Sequence, residues 1–532
     1  NKSINFYIIL FSCLLTVHGF FQLSTRGKSA VRHYLSLQDS GKSYDREAWK
    51  NGYSSCLKEV DEELGGIFPD DISGTFIRNG PGNFLIGEKE ILHPFDGDGM
   101  ITSIRIHNKK GYFKNRFVQT IDFKKEQATK KVSKRGAFRT LKPGGIFTNL
   151  FDPKVKNVAN TNIIYWNKKL MAMWEGGKPY FLDAKTLETL SVDEEDLNQQ
   201  LFPTETFTAH PKIDPFTNTL IAFGTQSELS STKIRVFELN QENEMIFQRE
   251  FEYPGLSVCH DFVITKNFIL IALPTVKFDL LPVLFGQKSP TECITFQSQE
   301  PTKLYIIPRN QEDEIQTIDL DPHFSFHFAN AYEDRDGSIL IDSFRCEELK
   351  MGLPRDSQNN PISWKEFDYE NEIPFPLLMR YKISKGKELK WKCDGHRALS
   401  KEQLDFGTLN PKHVGRPYRY VYALCGSHST KSTPLQGFVK IDISEGKEWK
   451  WMPKPHEFIG EMTFIPRGRQ RNEKAAEDDG YLMSYLFNGQ TNQTSVILFD
   501  AQRIEEGPIL RHVIKSTRLP IMLHGSYAPN LV

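Results

Sequence analysis

The stretch SVCHDFVITKNFILIALP (residues 257–274) decides the fold, because it sets a histidine before two apolar runs separated by a polar turn. Three other stretches are alike: FTAHPKIDP (207–215), FHFANAYED (326–334) and LPIMLHGSYAP (519–529). Each holds one histidine in a strand-like run, and these are His210, His260, His327 and His524. Four imidazoles with no thiolate among them suit a first-row metal ion such as iron, zinc, copper or nickel.

The spacing of these histidines predicts where they lie in the fold. They are 50, 67 and 197 residues apart, and a propeller blade takes about 40–50 residues. The intervals therefore predict one blade, one blade with an insertion, and about four blades. One histidine from the inner end of each of four blades would meet on the propeller axis and form a metal site. The alternative is that they are core residues bonded to carbonyls, since the chain has 14 histidines.

The rest of the chain is predicted to form short strands separated by turns. Residues 481–487 and 494–500 alternate apolar and polar positions around NGQTN, and 219–224 with 233–238 also form a hairpin pattern. Regularly spaced strands indicate an all-β sandwich or propeller. Because propellers often run long as single units, 532 residues are compatible with one domain, which we place at residues 46–532.

Composition argues against several classes of protein. The 67 basic and 67 acidic residues cancel, and no basic stripe appears, so we expect no nucleic-acid partner. Seven cysteines lie far apart without a CxxC pair, which indicates a reducing compartment rather than a disulfide framework. The many aromatic residues, 39 Phe among them, are enough for a large core and the lining of a tunnel.

The first 45 residues are predicted to be a targeting presequence and not part of the fold. Residues 4–21 are apolar, and residues 23–37 carry basic and hydroxyl side chains without an acid. This two-part pattern resembles the plastid presequence of algae with secondary plastids. The alternatives are a signal anchor or secretory peptide, with a cytoplasmic or endomembrane-associated protein.

The segment TVKFDLLPVLFGQ (275–287) lies between the second and third histidines and is apolar, broken by proline and too short to span a bilayer. Two interpretations remain open. It either packs inside the protein or forms an exposed patch that contacts a membrane and admits a lipid substrate.

Further motifs, in order along the chain, resemble the carotenoid cleavage oxygenase family. They are GTFIRNGPGNF (74–84), HPFDGDGM (93–100), KNVANTN (156–162), MAMWEGGKPYFLD (171–183), GRPYRYVYA (415–423) and EDDGYLMSYLFN (477–488). The resemblance, which covers about residue 65 to the C-terminus, implies a seven-bladed β-propeller with a helical and loop cap over the active-site face. It also implies one Fe(II) per chain, bound by His210, His260, His327 and His524. His323, in the same stretch as His327, lacks the family context and is not expected to bind iron.

The resemblance also implies residues around the ligands. Carboxylates that accept the outer ring N–H of a ligand fix its tautomer, and here Glu175, Asp405 and Glu461 would pair with His260, His327 and His524, leaving His210 to water. The family usually has a glutamate where this chain has Asp405, so the nearby Glu402 is a possible substitute. The methyl group of Thr161 is expected near the open iron position.

The implied activity is the oxidative cleavage of one C=C bond of a carotenoid or apocarotenoid by O2, giving two aldehyde or ketone products. The site's alternatives within the family are a stilbene-cleaving oxygenase and a retinoid isomerohydrolase. A carotenoid-binding propeller without catalysis is the alternative from another class. The retained histidines and carboxylates argue against the last of these.

Overall fold

In the part of the chain that the computed structural model describes, seven antiparallel sheets follow one another and form the blades of a propeller. The described residues are 44–532 except 57, 66–67, 198, 229, 351–355, 357–361, 387, 469–474 and 530. The predicted seven-bladed, mostly β fold is confirmed. The predicted presequence lies outside the described residues except for Tyr44 and Asp45, and Asp45 already caps the first helix through a 3.0 Å bond from Ala48 N–H.

The first four blades are built as follows. Blade 1 contains Asp61–Leu64, Gly74–Asn83, Asp98–His107, Lys110–Phe117 and Gly525–Ala528. Blade 2 contains Asn162–Trp166, Lys169–Met173 and Tyr180–Asp183. Blade 3 contains Lys212–Ile213, Leu220–Ser227, Ser231–Leu239 and Met245–Pro254. Blade 4 contains Val263–Ile264, Phe268–Leu273, Thr302–Pro308 and Gln316–Leu320.

The remaining blades complete the ring. Blade 5 contains Phe324–Glu333, Ile339–Cys346, Leu377–Lys385 and Trp391–Ala398. Blade 6 contains Leu404–Thr408, Tyr420–Gly426, Leu435–Asp442 and Lys447–Trp451. Blade 7 contains Glu457–Ile459, Thr463–Pro466, Gly480–Asn488, Gln493–Asp500 and Leu510–Val513. Two small hairpins pair Leu85–Ile86 with Lys89–Glu90 and Val276–Phe278 with Ile294–Phe296.

Burial along the strands follows their place in the blade. Strand Gly480–Asn488 is buried along nearly its whole length, because both of its faces pack on neighbouring blades. The outer strand Met245–Pro254 instead alternates between exposed and partly buried residues, as expected when one face meets water. Between blades 3 and 4 the rings of Phe223 and Phe262 pack edge to face, 5.4 Å apart. Each buried phenylalanine stabilises such an interface by about 1.5–3 kcal/mol.

Blade 1 closes the ring, because it joins strands from both ends of the sequence. The C-terminal strand Gly525–Ala528 pairs with Gly74–Asn83 in the register Arg78–Gly525 and Thr75–Ala528. Gly525 is required by this close approach, since a Cβ atom there would lie 2.1 Å from the carbonyl oxygen of Ile77. The fourth histidine stretch therefore becomes the inner edge of the first blade.

Helices occur in the connections between strands. The α-helices within the described residues are Arg46–Asn51, Ile121–Thr129, Ile146–Asn149, Leu280–Leu284 and Tyr369–Glu372. Single 3-10 turns there are Pro94–Asp96, Thr291–Cys293, Trp364–Glu366, Pro411–His413 and Ile504–Glu506. Among the described helices, not one combines the length and the apolar character that crossing a membrane requires.

The long connections emerge at the same face as the histidines. Neighbouring strands are antiparallel, so the end of a blade's second strand returns to the face at which its first strand begins. By this rule residues 84–97, 274–301 and the described part of 347–376, which follow second strands, emerge at the face where the four histidine stretches enter the blades. Residues 118–160, which follow the fourth strand of blade 1, emerge at the same face. These segments contact one another: the Asp96 carboxylate accepts backbone N–H bonds from Arg139 and Thr140, both of 2.8 Å. They form the cap over this face.

One interval between histidines differs from its prediction. The 50-residue and 67-residue intervals correspond to one blade each, the second lengthened by residues 274–301. The interval of 197 residues was predicted as about four blades, but it contains only blades 5, 6 and 7. The insertion of residues 347–376 between the second and third strands of blade 5 contributes to the excess length.

Candidate metal centre

The propeller brings the four predicted ligands together. They are His210, His260, His327 and His524, which lie at or near the start of the first strands of blades 3, 4, 5 and 1. One ring nitrogen from each lies within 4.8 Å of the corresponding nitrogens of the other three. All four side chains are largely removed from solvent, because the blades pack around the axis and the cap covers this face.

The distances between ring nitrogens suit a shared metal ion. The Nε2 atoms are 3.0 Å apart between His210 and His260, 3.3 Å between His260 and His327, and 3.1 Å between His327 and His524. Two nitrogens bound at right angles, each about 2.1 Å from one ion, would lie about 3.0 Å apart. The cluster therefore has the dimensions of adjacent ligands on a single first-row ion.

Carboxylates contact the outer nitrogens of three ligands. Asp405 Oδ1 lies 2.8 Å from Nδ1 of His327, and Glu461 Oε1 lies 3.0 Å from Nδ1 of His524. Glu175 Oε2 approaches Nδ1 of His260 to 2.6 Å, although the angle of this contact is not that of a hydrogen bond. Within the described residues, His210 has no carboxylate partner.

These contacts decide which nitrogen of each ring carries the proton. A carboxylate only accepts, so the Nδ1 atoms of His327 and His524 carry protons, and the adjacent Glu175 favours the same tautomer in His260. Their Nε2 atoms then present lone pairs to one another across 3.1–3.3 Å. Lone pairs repel at that distance unless a cation lies between them. The donor set and its tautomers therefore fit a divalent metal ion.

The protonation state of the ligands is set by burial and by neighbouring charges. Burial, together with the three other imidazoles, holds the pKa of His210 well below its usual value. Burial also lowers the pKa of His524 and outweighs the opposing effect of Glu461. At His327 burial again favours the neutral ring, but the Asp405 carboxylate overcomes it and raises the pKa. His210 and His524 are thus held in the neutral form that binds metals.

A β-bulge lets the shorter Asp405 side chain reach its histidine. The register of blade 6 jumps from Asp405 opposite Leu424 to Thr408 opposite Tyr422, which leaves two residues unpaired. The first of these, Phe406, has a φ of 54°, a left-handed conformation that is rare for an aromatic residue. Its backbone N–H also donates to Asp405 Oδ1 at 2.8 Å. The bulge therefore orients the carboxylate towards His327.

Glu402 is not the carboxylate that contacts His327. Its side chain pairs with Lys450 at 2.7 Å, near the surface of blade 6. Since Asp405 makes the direct contact, the suggestion that Glu402 takes its place is wrong.

Phe406 and Arg78 also belong to the centre but were missed in the sequence. The ring of Phe406 lies 4.8 Å from that of His327 and stacks 5.0 Å from that of His524. Arg78 is only 1% exposed and donates to Glu461 Oε2 at 2.7 Å and to the Leu523 carbonyl at 3.0 Å. An arginine inside the apolar strand GTFIRNGPGNF was the available signal, because such a residue is rarely buried without a partner.

Arg78 influences the charge of Glu461. Burial alone would raise the pKa of this carboxyl group, but His524 and Arg78 outweigh it and lower the pKa. Glu461 is thus an ionised carboxylate held between a guanidinium and a ligand ring. Glu461, between the first two strands of blade 7, thus contacts strand Gly74–Asn83 of blade 1 through Arg78 and the start of strand Gly525–Ala528 through His524.

Thr161 and His323 are placed differently from each other. The carbonyl of Thr161 accepts a 3.2 Å bond from His524 N–H, so Thr161 lies beside the cluster. His323 lies outside it: its Nδ1 contacts the Asp321 carbonyl at 2.7 Å, and its ring stacks on Tyr381. Burial lowers the pKa of His323 to about 4, as expected for a neutral core histidine.

The described residues form a seven-bladed propeller with four histidines clustered on its axis and carboxylates beside three of them, a donor set that fits one divalent metal ion. A family model for retinal pigment epithelial membrane protein (RPE65) matches residues 53–529. The chain belongs to this family, the carotenoid oxygenases, and is an enzyme of the carotenoid cleavage dioxygenase type.

Individual relatives agree with this assignment. The apocarotenoid-15,15'-oxygenase of Synechocystis sp. is 34% identical over 505 residues, covering 92% of this chain and 98% of the relative. The carotenoid 9,10(9',10')-cleavage dioxygenase 1 of Pisum sativum is 29% identical over 500 residues, covering 87% and 86%. The crystal structure of cobalt-substituted Synechocystis ACO matches with a TM-score of 0.84 at 33% identity, covering 92% of this chain and 99% of that one.

Proposed function

We propose that this chain is an iron(II) dioxygenase that splits one C=C bond of a carotenoid or apocarotenoid into two carbonyl products. Both oxygen atoms of O2 enter the products, one at each carbon of the broken bond. The observation that carries the proposal is the cluster of four Nε2 atoms, with three rings oriented by carboxylates. The names of the Synechocystis and Pisum relatives support the substrate class.

One ferrous ion per chain fits this donor set. His210, His260, His327 and His524 would hold it, and four neutral imidazoles leave coordination positions free on an octahedral ion. When bound, iron supplies the one-electron chemistry that lets dioxygen react with a closed-shell polyene. The cobalt-substituted form of the Synechocystis structure supports a divalent first-row ion in such a fold.

The protein groups of the centre bind and orient rather than transfer protons. Asp405 and Glu461 hold the Nδ1 protons of His327 and His524, and Glu175 lies beside Nδ1 of His260. These contacts keep the Nε2 atoms of the three rings aimed at one point. The ring of Phe406 covers two ligand rings and excludes water from that side. The methyl group of Thr161, next to His524, would limit access to the open position. An apolar substrate needs no acid or base here, because charge that develops during oxygen attack is delocalised along the polyene.

The test is a panel of carotenoids, apocarotenoids and stilbenes offered to purified protein with Fe(II) and O2. Aldehyde or ketone products, identified by mass, should appear with at least one polyene and be absent with the His260→Ala variant. His323→Ala is the matched control, because it removes a buried histidine outside the cluster. Cleavage of stilbenes alone would replace the proposal with a stilbene oxygenase, and bound but intact pigment would indicate a binding protein.

We also propose that the cap contacts a membrane peripherally. The predicted segment 275–287 both packs and protrudes: Val283 is buried, whereas Leu281 is 54% exposed. Its neighbour is residues 146–151, since Phe151 N–H donates to the Leu284 carbonyl at 2.7 Å. Together the two segments expose an apolar patch formed by Ile146, Phe147, Phe151, Leu281 and Phe285. Clustered apolar side chains on the substrate-facing side suit insertion between lipid headgroups.

Vesicle sedimentation tests this contact. Phe147, which is 90% exposed, and Leu281 are changed to glutamate together, and binding to phosphatidylcholine vesicles should fall by at least tenfold. Val192→Glu is the matched control, because it adds a charge at an exposed apolar residue outside residues 146–151 and 275–287. Equal vesicle binding by the double variant and the control would remove the patch from the proposal.

We infer that residues 1–45 direct the enzyme to the plastid of an alga with secondary plastids. The apolar segment followed by a basic, hydroxyl-rich stretch supports this assignment. A fluorescent protein fused behind these 45 residues should enter the plastid of such an alga, and fluorescence retained in the cytoplasm or endomembranes would favour the alternatives.

A further inference from the structure

Polar side chains on the inner strands of neighbouring blades connect those blades around the axis. Asn79 Nδ2 donates to the Asn162 carbonyl at 2.9 Å, which ties blade 1 to blade 2. Asn162 Nδ2 then donates to the Ala209 carbonyl at 2.7 Å, next to the first ligand of blade 3. These links use neutral amides. The link among blades 3, 4 and 5 uses a carboxylate instead, at Asp261.

Asp261 contacts three of the segments that carry ligands. It follows His260 directly, and its Oδ1 accepts the backbone N–H of Phe262 at 2.8 Å. The same oxygen pairs at 2.6 Å with Nζ of Lys212, two residues after His210. Its other oxygen accepts the N–H of Phe328, the residue after His327, at 3.0 Å.

The energetics of this carboxylate favour a role beyond filling space. Asp261 is buried, and burying a charge is costly unless it is paired and hydrogen-bonded. One cation and two backbone N–H groups satisfy the Asp261 carboxylate. They are Lys212 of blade 3, Phe262 beside the first strand of blade 4 and Phe328 of blade 5. A hydrogen bond to a charged group is roughly twice as strong as one between neutral groups. One buried group thus fixes the mutual positions of three of the four ligand segments.

We propose that Asp261 is a positioning residue of the metal centre, which keeps His210, His260 and His327 at metal-binding distance through Lys212, Phe262 and Phe328. Asp261 contacts no ligand ring, which distinguishes it from Glu175, Asp405 and Glu461. The inference rests on the proposed metal site and adds a residue that contacts the neighbours of the ligands in sequence. In Asp261→Asn one oxygen becomes an NH2 group, which cannot accept the Phe328 or Lys212 donor that it faces.

Cobalt(II) binding followed by visible absorption tests the proposal without requiring turnover. Asp261→Asn should bind Co(II) at least tenfold more weakly than the unchanged protein and show a shifted d–d spectrum, because the ligand geometry relaxes. Lys212→Met removes only the cation and keeps both backbone bonds, so it should shift the spectrum and weaken binding by a smaller factor. If Asp261→Asn does not fold, Lys212→Met decides the question alone.

A matched control separates positioning from general stability. Asp342 is a fully buried carboxylate in blade 5 that pairs with Arg380 at 2.6 Å and accepts from the Tyr418 hydroxyl group at 2.5 Å. Asp342→Asn should lower the melting temperature but leave the cobalt spectrum unchanged. Unaltered cobalt affinity and spectrum in both Asp261→Asn and Lys212→Met would overturn the inference. Failure of the unchanged protein to bind Co(II) would instead overturn the proposed metal site, and the inference with it.

Discussion

Replacing Asp405 by leucine tests whether this carboxylate, despite its shorter side chain, holds a metal ligand. Leucine has the same branched side-chain skeleton but accepts no hydrogen bond, so Nδ1–H of His327 loses its 2.8 Å partner. The backbone N–H of Phe406 loses its partner at the same time. A buried donor left without an acceptor costs about 1–3 kcal/mol.

The metal affinity should fall by a factor that follows from this cost. Since about 1.4 kcal/mol corresponds to a factor of ten, the loss of orientation at His327 predicts roughly tenfold to hundredfold weaker binding of Fe(II). That range agrees with the usual effect of removing a carboxylate behind a metal-bound histidine. The measurement is an anaerobic competition titration of Fe(II) against a coloured chelator.

Glu402→Leu is the matched control for this prediction. It removes a carboxylate three residues away that pairs with Lys450 instead of a ligand, so iron affinity should change less than twofold. Equal affinities for Asp405→Leu and the unchanged protein would refute the reasoning. Equal losses in both variants would show that the general charge of this region, and not the contact with His327, determines the binding.

Three other changes have defined outcomes. Arg78→Met leaves Glu461 buried without its cation, so the free energy of unfolding in urea should fall by about 3–5 kcal/mol. A change below about 1 kcal/mol would show that the ion pair is not needed for stability. Gly525→Ala places a methyl group against the Ile77 carbonyl oxygen and should lower the free energy of unfolding by about 1–3 kcal/mol. The variant should also bind Co(II) more weakly. An unchanged melting temperature would contradict the close approach of Gly525 to Ile77. Burial holds the pKa of His93 at about 3, with a smaller contribution from Arg139, while the unfolded value is 6.5. As pH falls, His93 is therefore protonated in the unfolded state at a pH at which it is still neutral in the folded state. The folded protein loses stability as pH falls below about 6.5, by at most about 1.4 kcal/mol per pH unit for this group. Urea unfolding of His93→Gln should show a shallower decline between pH 6.5 and pH 4.5 than the unchanged protein, and parallel declines would exclude this contribution.

Much of the architecture could be predicted from local patterns. The hairpins at 219–238 and 481–500 follow from strand alternation and turn residues, and both form as expected. The 50-residue and 67-residue intervals also matched single blades, because each blade repeats the same path from the axis outward. The 197-residue interval before His524 gave one blade too many, because chain length alone does not distinguish an insertion in the cap from the strands of a blade.

The candidate site was predictable in its ligands but less so in their supports. The structure brings the four histidines together, and their role as iron ligands stays a prediction. The contact of Asp405 with His327 depends on a β-bulge and on the left-handed backbone of Phe406. The residues of LDFGTLN do not predict either feature. The tethers formed by Arg78 and Asp261 join segments far apart in sequence, so only the folded chain shows them.

The closure of blade 1 has a consequence for how the enzyme matures in the cell. Three of the four predicted ligands are synthesised before blades 6 and 7, whereas the fourth follows 197 residues after the third and is fixed only when its strand pairs with the first blade. A nascent chain that has reached blade 6 or 7 therefore contains only His210, His260 and His327 of the four predicted ligands. For the proposed iron site, coordination by all four histidines is therefore possible only after the whole ring has been synthesised and closed.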